Sequence, residues 1–223
     1  MKSKIVFLCS ALALVMSSGA AAQVNTGFYG GLGIGKAKAK LNGSDLTFND
    51  PAIQENRDEI DTAYKFFGGY QFGQHIAAEL SYTDFGKFAY IYNGAQLVPP
   101  LGEARVNYKA NSWAVSAVGS IPIGSSGFSA MGRLGVAYNT AERSALTGNF
   151  FTIPPMPSAT KKRFGLLWGV GGQYDFTPAL SLRLEFEDYG KFGEARNDST
   201  IFPPQQTGRA TIHMYSLNFI ARF

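Results

Sequence analysis

Of 223 residues one is a cysteine, Cys9, and it lies in a segment expected to be removed. Disulfides, thiol catalysis and thiolate metal sites are therefore excluded from the mature chain. Histidine is nearly as scarce, with only His75 and His213. No metal-ligand spacing is visible, and no His, Asp and Ser set converges for acyl transfer. His213 and Ser216, three apart, fall on opposite faces of a strand. Neither an enzyme nor a bound cofactor is expected. Charged residues make up only 16 %, against the roughly 25 % usual in a soluble domain. The formal net charge of +4 falls to +2 once Lys2 and Lys4 leave with the leader. No basic run with interleaved aromatics occurs, so nucleic acid is not an expected partner.

Long apolar runs are missing except at the start. Met1 to Ala22 carries Lys2 and Lys4, an apolar stretch from Ile5 to Met16, and a small-residue end, Ala20-Ala21-Ala22. A basic start, an apolar region too short to span a bilayer and an A-x-A-like site describe a secretory signal peptide. Residues 1–22 are thus expected to be cleaved, leaving one domain, 23–223, that begins at Gln23.

What the chain has is glycine, 26 of them, and 14 % aromatics, set out with a period of two. Between Phe164 and Tyr189 almost every second residue is apolar: Phe164, Leu166, Trp168, Val170, Gly172, Tyr174 and Phe176, then Leu180, Leu182, Leu184 and Phe186. Those between are small, polar or charged, among them Gly169, Gln173, Arg183, Glu185 and Glu187. Such alternation means strands. With the charges sharing the glycine face, the apolar face meets lipid and the polar face lines an interior. A soluble lipocalin-like barrel has the same strand count, but would turn its large apolar residues inward.

The same pattern recurs along the chain. The first strand is FYGGLGIGKAK. The others are expected at about Glu59 to Phe72, His75 to Phe85, Asn107 to Ile123, Phe128 to Thr140, the two arms of the hairpin, and Arg209 to Phe223. Short turns at Gly73-Gln74, Gly124 to Gly127 and Thr177-Pro178 alternate with long loops at Lys38 to Asp58, Gly86 to Arg105, Ala141 to Lys162 and Gly190 to Gly208. The expected fold is all-β: an eight-stranded antiparallel up-and-down transmembrane barrel, with its turns in the periplasm and its long loops outside. Closure leaves no edge strand, as a bilayer demands.

The stretches FFGGYQFGQHIAAELSYTDFG, AVSAVGSIPIG followed by FSAMGRLGVAY, GVGGQYDFTPALSLRLEFEDYG and the terminal MYSLNFIARF, in that order and spacing, resemble the transmembrane domain of OmpA-like outer membrane proteins over the whole mature chain. The resemblance implies insertion in the outer membrane of a Gram-negative cell, with outer membrane lipids, barrel-assembly machinery and periplasmic chaperones as partners. The ending Tyr215, Leu217, Phe219, Phe223 resembles the assembly signal of the family, with Ala221 where an aromatic is usual and Ile220 on the inner face. Family members often continue into a peptidoglycan-binding domain, and a sequence ending at Phe223 is expected to lack that tether.

By the same resemblance Glu79 and Arg183 match the central interior pair that blocks the lumen, and Arg133 and Glu185 match other members of that network. The family's alternative partners, a lysine on strand four and a glutamate on strand six, are Val118 and Gln173 here, while Lys65 can supply a substitute cation. An eight-stranded interior is just wide enough for side chains to fill. Two readings stand: a gated, narrow, porin-like ion path, and a charged plug that satisfies itself.

Three of the long loops carry an apolar residue and two prolines: Val98-Pro99-Pro100, Ile153-Pro154-Pro155 and Phe202-Pro203-Pro204. Proline stiffens such segments. They are expected either to form a recognition rim for a host, phage or neighbouring surface protein, or only to limit loop disorder. The near-repeat of Tyr82 to Phe88 in Glu187 to Phe192 is expected to place aromatics in an interfacial girdle. The expected function is that of a structural barrel of the outer membrane with surface recognition through its four outer loops. The alternative is a low-conductance channel gated by interior charges.

Overall fold

The computed structural model describes residues 26–41, 54–93, 103–144, 147–148, 158–194 and 208–223. Ten paired segments make one sheet. Two of them, Gln54–Asp58 and Thr147–Gly148, are short extensions of the barrel wall. The eight others are β1 (Gly27–Leu41), β2 (Ile60–Gln71), β3 (Ile76–Asn93), β4 (Glu103–Pro122), β5 (Phe128–Arg143), β6 (Ala159–Asp175), β7 (Leu180–Glu194) and β8 (Gly208–Arg222). Each is antiparallel to its neighbours in sequence. Ile34 of β1 pairs with Leu217 of β8 on one side and Tyr64 of β2 on the other, which closes the sheet into an eight-stranded barrel. The three tight turns fall where glycine and proline place them, each closed by a backbone hydrogen bond: Phe72 to Ile76, Ile123 to Phe128 and Phe176 to Leu180.

The faces are assigned by exposure. Ile121 and Phe164 are each 70 % exposed, whereas Lys65 and Glu187 are 0 % exposed. A water-soluble fold does not leave such an apolar surface bare while enclosing its charges. Aromatic pairs ring the apolar band at both ends. Phe28 and Tyr70 (4.8 Å between centroids) and Phe128 and Tyr174 (4.5 Å) lie toward the turns. Tyr82 and Trp113 (5.0 Å), Tyr138 and Phe164 (5.0 Å), and Phe186 and Tyr215 (4.9 Å) lie toward the loops.

Two expectations are corrected. First, the strands run further outward than the apolar-outside pattern predicts: β1 to Leu41, β3 to Asn93, and β6 from Ala159. The alternation continues there with its polarity reversed. Lys36, Lys38, Lys40, Lys109 and Glu142 are exposed on the outer face, while Ala37, Ala39, Ala110, Ala141, Ile212 and Met214 are buried within. Above the bilayer the outside is water, so the apolar residues move to the inside.

Second, of the near-repeat only Tyr82 joins the girdle. Phe85, Phe88, Tyr189 and Phe192 point into the lumen and are at most 2 % exposed. The cause is a bulge in each strand. Between Asp84 and Lys87, and between Asp188 and Lys191, β3 and β7 carry one residue more than the strand they pair with. Gly86 (φ 79°) and Gly190 (φ 71°) take the left-handed conformation needed. Asp84 and Asp188 accept the amide hydrogens of Gly86 and Gly190 at 3.0 and 2.7 Å. The extra residue shifts the parity, so aromatics three apart both face inward.

Candidate functional site

Alternation on four strands delivers the inner charges to one level: Lys65 on β2, Glu79 on β3, Arg133 on β5, and Arg183, Glu185 and Glu187 on β7. Three cations meet three carboxylates. Arg133 Nη2 donates to Glu79 Oε1 at 2.5 Å, and Arg133 Nε to Glu185 Oε1 at 2.8 Å with Glu187 Oε1 at 3.3 Å. Arg183 Nη1 donates to Glu79 Oε2 at 2.9 Å. Lys65 Nζ donates to Glu185 Oε2 at 3.1 Å and to Glu187 Oε1 at 2.7 Å. Neutral groups complete the set: the Tyr29 hydroxyl donates to Glu79 Oε2 at 3.1 Å, and Ser116 Oγ accepts from Arg133 Nη1 at 2.9 Å. Balanced charge and hydrogen bonds on both sides are what a buried ion cluster needs to offset desolvation.

All five interior residues singled out from the sequence, Lys65, Glu79, Arg133, Arg183 and Glu185, join this cluster. Glu187 was not singled out, although it lies on the same inner row. Gln173 holds Arg183 Nε at 3.2 Å and donates to Asp175 at 2.9 Å, and Val118 is packed in an apolar layer with Tyr29, Phe67, Ala77, Met131 and Ile220. A cavity of about 30 Å³ on the turn side of the cluster, lined by Gln71, Gln173, Arg183 and Arg222 among others, has room for one or two waters.

On the loop side the lumen is mainly apolar, with Thr83, Ser112 and Asn139 buried at its margin. The rings of Phe85 and Tyr189 meet at 4.8 Å and those of Phe85 and Phe192 at 5.4 Å, packed with Leu167, Met214 and the inward alanines. The Tyr189 hydroxyl and Thr83 Oγ1 share a hydrogen bond of 2.9 Å. Sequence reasoning missed this plug. Its signal was the near-repeat Asp-aromatic-Gly-Lys, once the glycine is taken as a bulge.

Tyr215, Leu217, Phe219 and Phe223 are exposed on the lipid-facing side of β8 and at its end. The prolines and apolar residues of the loops, Val98, Pro99, Pro100, Ile153, Pro154, Pro155, Phe202, Pro203 and Pro204, lie outside the described residues, as does the leader. His75 Nδ1 is 3.0 Å from the Ser120 carbonyl oxygen at a turn, and His213 Nδ1 is 3.4 Å from Asp188 on the outer wall. Among the described residues no cluster of His, Cys, Asp and Glu has the makings of a metal site.

Comparison with known proteins places this geometry. The model of the OmpA-like transmembrane domain matches residues 22–223. The chain belongs to the OmpA-like transmembrane domain family. It is an outer membrane barrel of that type. A curated relative of this OmpA-like barrel, outer membrane protein P5 of Haemophilus influenzae, is 27 % identical over 199 residues, which cover 87 % of the chain and 53 % of P5. The chain thus spans about half the length of that relative. Among solved structures, Neisserial surface protein A superposes with a TM-score of 0.55 at 14 % identity, covering 88 % of this chain and 97 % of its own. OprG from Pseudomonas aeruginosa gives 0.51 at 15 % identity, covering 91 % and 98 %. These two share the fold of the OmpA-like barrel.

Proposed function

We propose that this barrel is a structural element of the outer membrane whose lumen is filled rather than open, and whose outer loops serve recognition at the cell surface. One observation carries the first part: a charge-balanced ion cluster fills the middle of the lumen and an aromatic plug fills its outer half, with Lys65, Glu187, Phe85 and Tyr189 all 0 % exposed. An ion crossing would have to break paired, desolvated charges and then part packed rings. No catalytic step belongs to this reading, since His75 lies at a turn and His213 on the outer wall, each away from the lumen.

Planar-bilayer recording of the refolded protein is the test. Silence in the wild type, in Glu79→Ala and in Gln173→Lys is expected. Discrete openings in the wild type that change with Arg183→Ala or Gln173→Lys would establish the narrow channel instead. For recognition, binding to host cells or phage is expected to disappear when the segments around Pro99, Pro154 and Pro203 are trimmed while the barrel stays folded. Binding that survives all three deletions removes the loops from the proposal.

A further inference from the structure

Beyond Ile34 the outward face of β1 changes from apolar to cationic. Lys36, Lys38 and Lys40 occupy three successive outward positions and are all exposed, while Ala37 and Ala39 between them point inward at 0 and 2 % exposure. At about 3.3 Å per residue the three ammonium groups form a row of roughly 13 Å. The row starts where the apolar band stops: Lys36 pairs with Tyr215 of the outer girdle, and its Nζ donates to Thr62 Oγ1 at 3.1 Å.

Among the described side chains no acid stands directly opposite, and the register, carried on by the bond from the Ala39 amide to the Glu59 carbonyl, sets Asp58 across from Lys40 at the far end of the row. Across from the three lysines are Tyr215, His213 and Thr211 on β8, and Thr62 and Ile60 on β2. Asp188, one strand further, has its carboxylate 3.4 Å from His213. Elsewhere on the wall the arrangement differs, as Lys109 on β4 lies 3.9 Å from Asp84.

We propose that Lys36, Lys38 and Lys40 bind the phosphate groups of phosphorylated lipid in the outer leaflet. Each lysine meets phosphate oxygens as a compact charge, and its methylene stem lies along the top of the apolar band. A lipid source is favoured over a soluble anion by continuity. The row extends the lipid-facing side of Phe28, Leu32 and Ile34, so a ligand anchored in the leaflet is held beside it at high effective concentration.

The test uses the refolded barrel in phosphatidylcholine nanodiscs doped with lipid A, with retained lipid A counted by native mass spectrometry. Wild type is expected to retain lipid A and to lose it when the lipid is enzymatically dephosphorylated beforehand. The triple variant Lys36→Gln/Lys38→Gln/Lys40→Gln, checked for folding by its heat-modifiable gel mobility, is expected to bind about a hundredfold more weakly, at about fivefold per lysine. Lys36→Arg/Lys38→Arg/Lys40→Arg and Lys87→Gln/Lys109→Gln are expected to bind as wild type does. Equal retention of dephosphorylated lipid A overturns the proposal on wild-type protein alone. So does equal loss in the Lys87/Lys109 variant, which would mark diffuse attraction rather than a site, and so does a water-soluble phosphosugar that binds as tightly as the lipid.

Discussion

Glu79 serves two guanidinium groups at once, those of Arg133 and Arg183. Its replacement by alanine leaves two buried cations to share what remains, so Glu79→Ala is expected to cost about 3–5 kcal/mol of stability. Urea unfolding in lipid vesicles, followed by Trp113 and Trp168 fluorescence, measures it. Charge balance gives the complementary expectation. Lys65→Met alone leaves Glu185 and Glu187 short of a cation, whereas Lys65→Met with Glu187→Gln removes one charge of each sign. The double variant is expected to be more stable than the sum of its single changes by about 0.5–3 kcal/mol in a double-mutant cycle. Five of the six charges were legible in the sequence because parity alone puts a strand residue inside. Which carboxylate meets which cation was not legible, since that depends on the stagger between strands far apart in the chain. Lys65 and Glu187 are separated by 122 positions and touch at 2.7 Å.

At the scale of the strand, the bulges decide what the outer lumen contains. A Cβ at Gly190 would sit 3.0 Å from the Leu166 carbonyl oxygen, and the positive φ of 71° disfavours any side chain. Gly190→Ala is therefore expected to destabilise by about 1–3 kcal/mol, read from the same urea midpoint. Phe85→Ala, which empties part of the plug without touching the backbone, is expected to cost about 3–5 kcal/mol. The near-repeat around Gly86 and Gly190 was visible in the sequence, but its facing was not. One inserted residue reverses the parity, and only the glycine with the aspartate two before it marks the insertion. The strand ends were misjudged for a related reason. Lys36-Ala37-Lys38-Ala39-Lys40 alternates as regularly as the membrane band, yet with polar residues outward it reads as loop to anyone seeking apolar ones.

For the whole molecule, the reversal means two apolar regions set differently. The band faces out toward lipid, and above it a core of Ala37, Ala39, Ala141, Phe85, Phe192 and Met214 faces in. The inner core does not depend on lipid. Amide hydrogens of Ala37 and Ala39 are expected to exchange as slowly in detergent as in a bilayer, although they lie beyond the apolar band. Exchange that speeds up on leaving the bilayer would contradict this. The fold class and the gathering of the short turns at one rim were legible because even spacing and period-two patterning are local. The outer height of the barrel was not, because it depends on which solvent surrounds each level.

The lysine-studded outer wall also bears on how the barrel reaches its place. Lys36, Lys38, Lys40, Lys87, Lys109, Lys162 and Lys191 are all exposed. For a chain entering from the periplasm, they must pass the hydrocarbon before they reach the far side. Each costs about 2–4 kcal/mol at the bilayer midplane. The equilibrium position does not carry that cost, since every lysine ends in water or among headgroups, but the path does. The barrel is expected to be slow to enter an intact thick bilayer unaided, quicker where the bilayer is thin or defective, and slower still to leave.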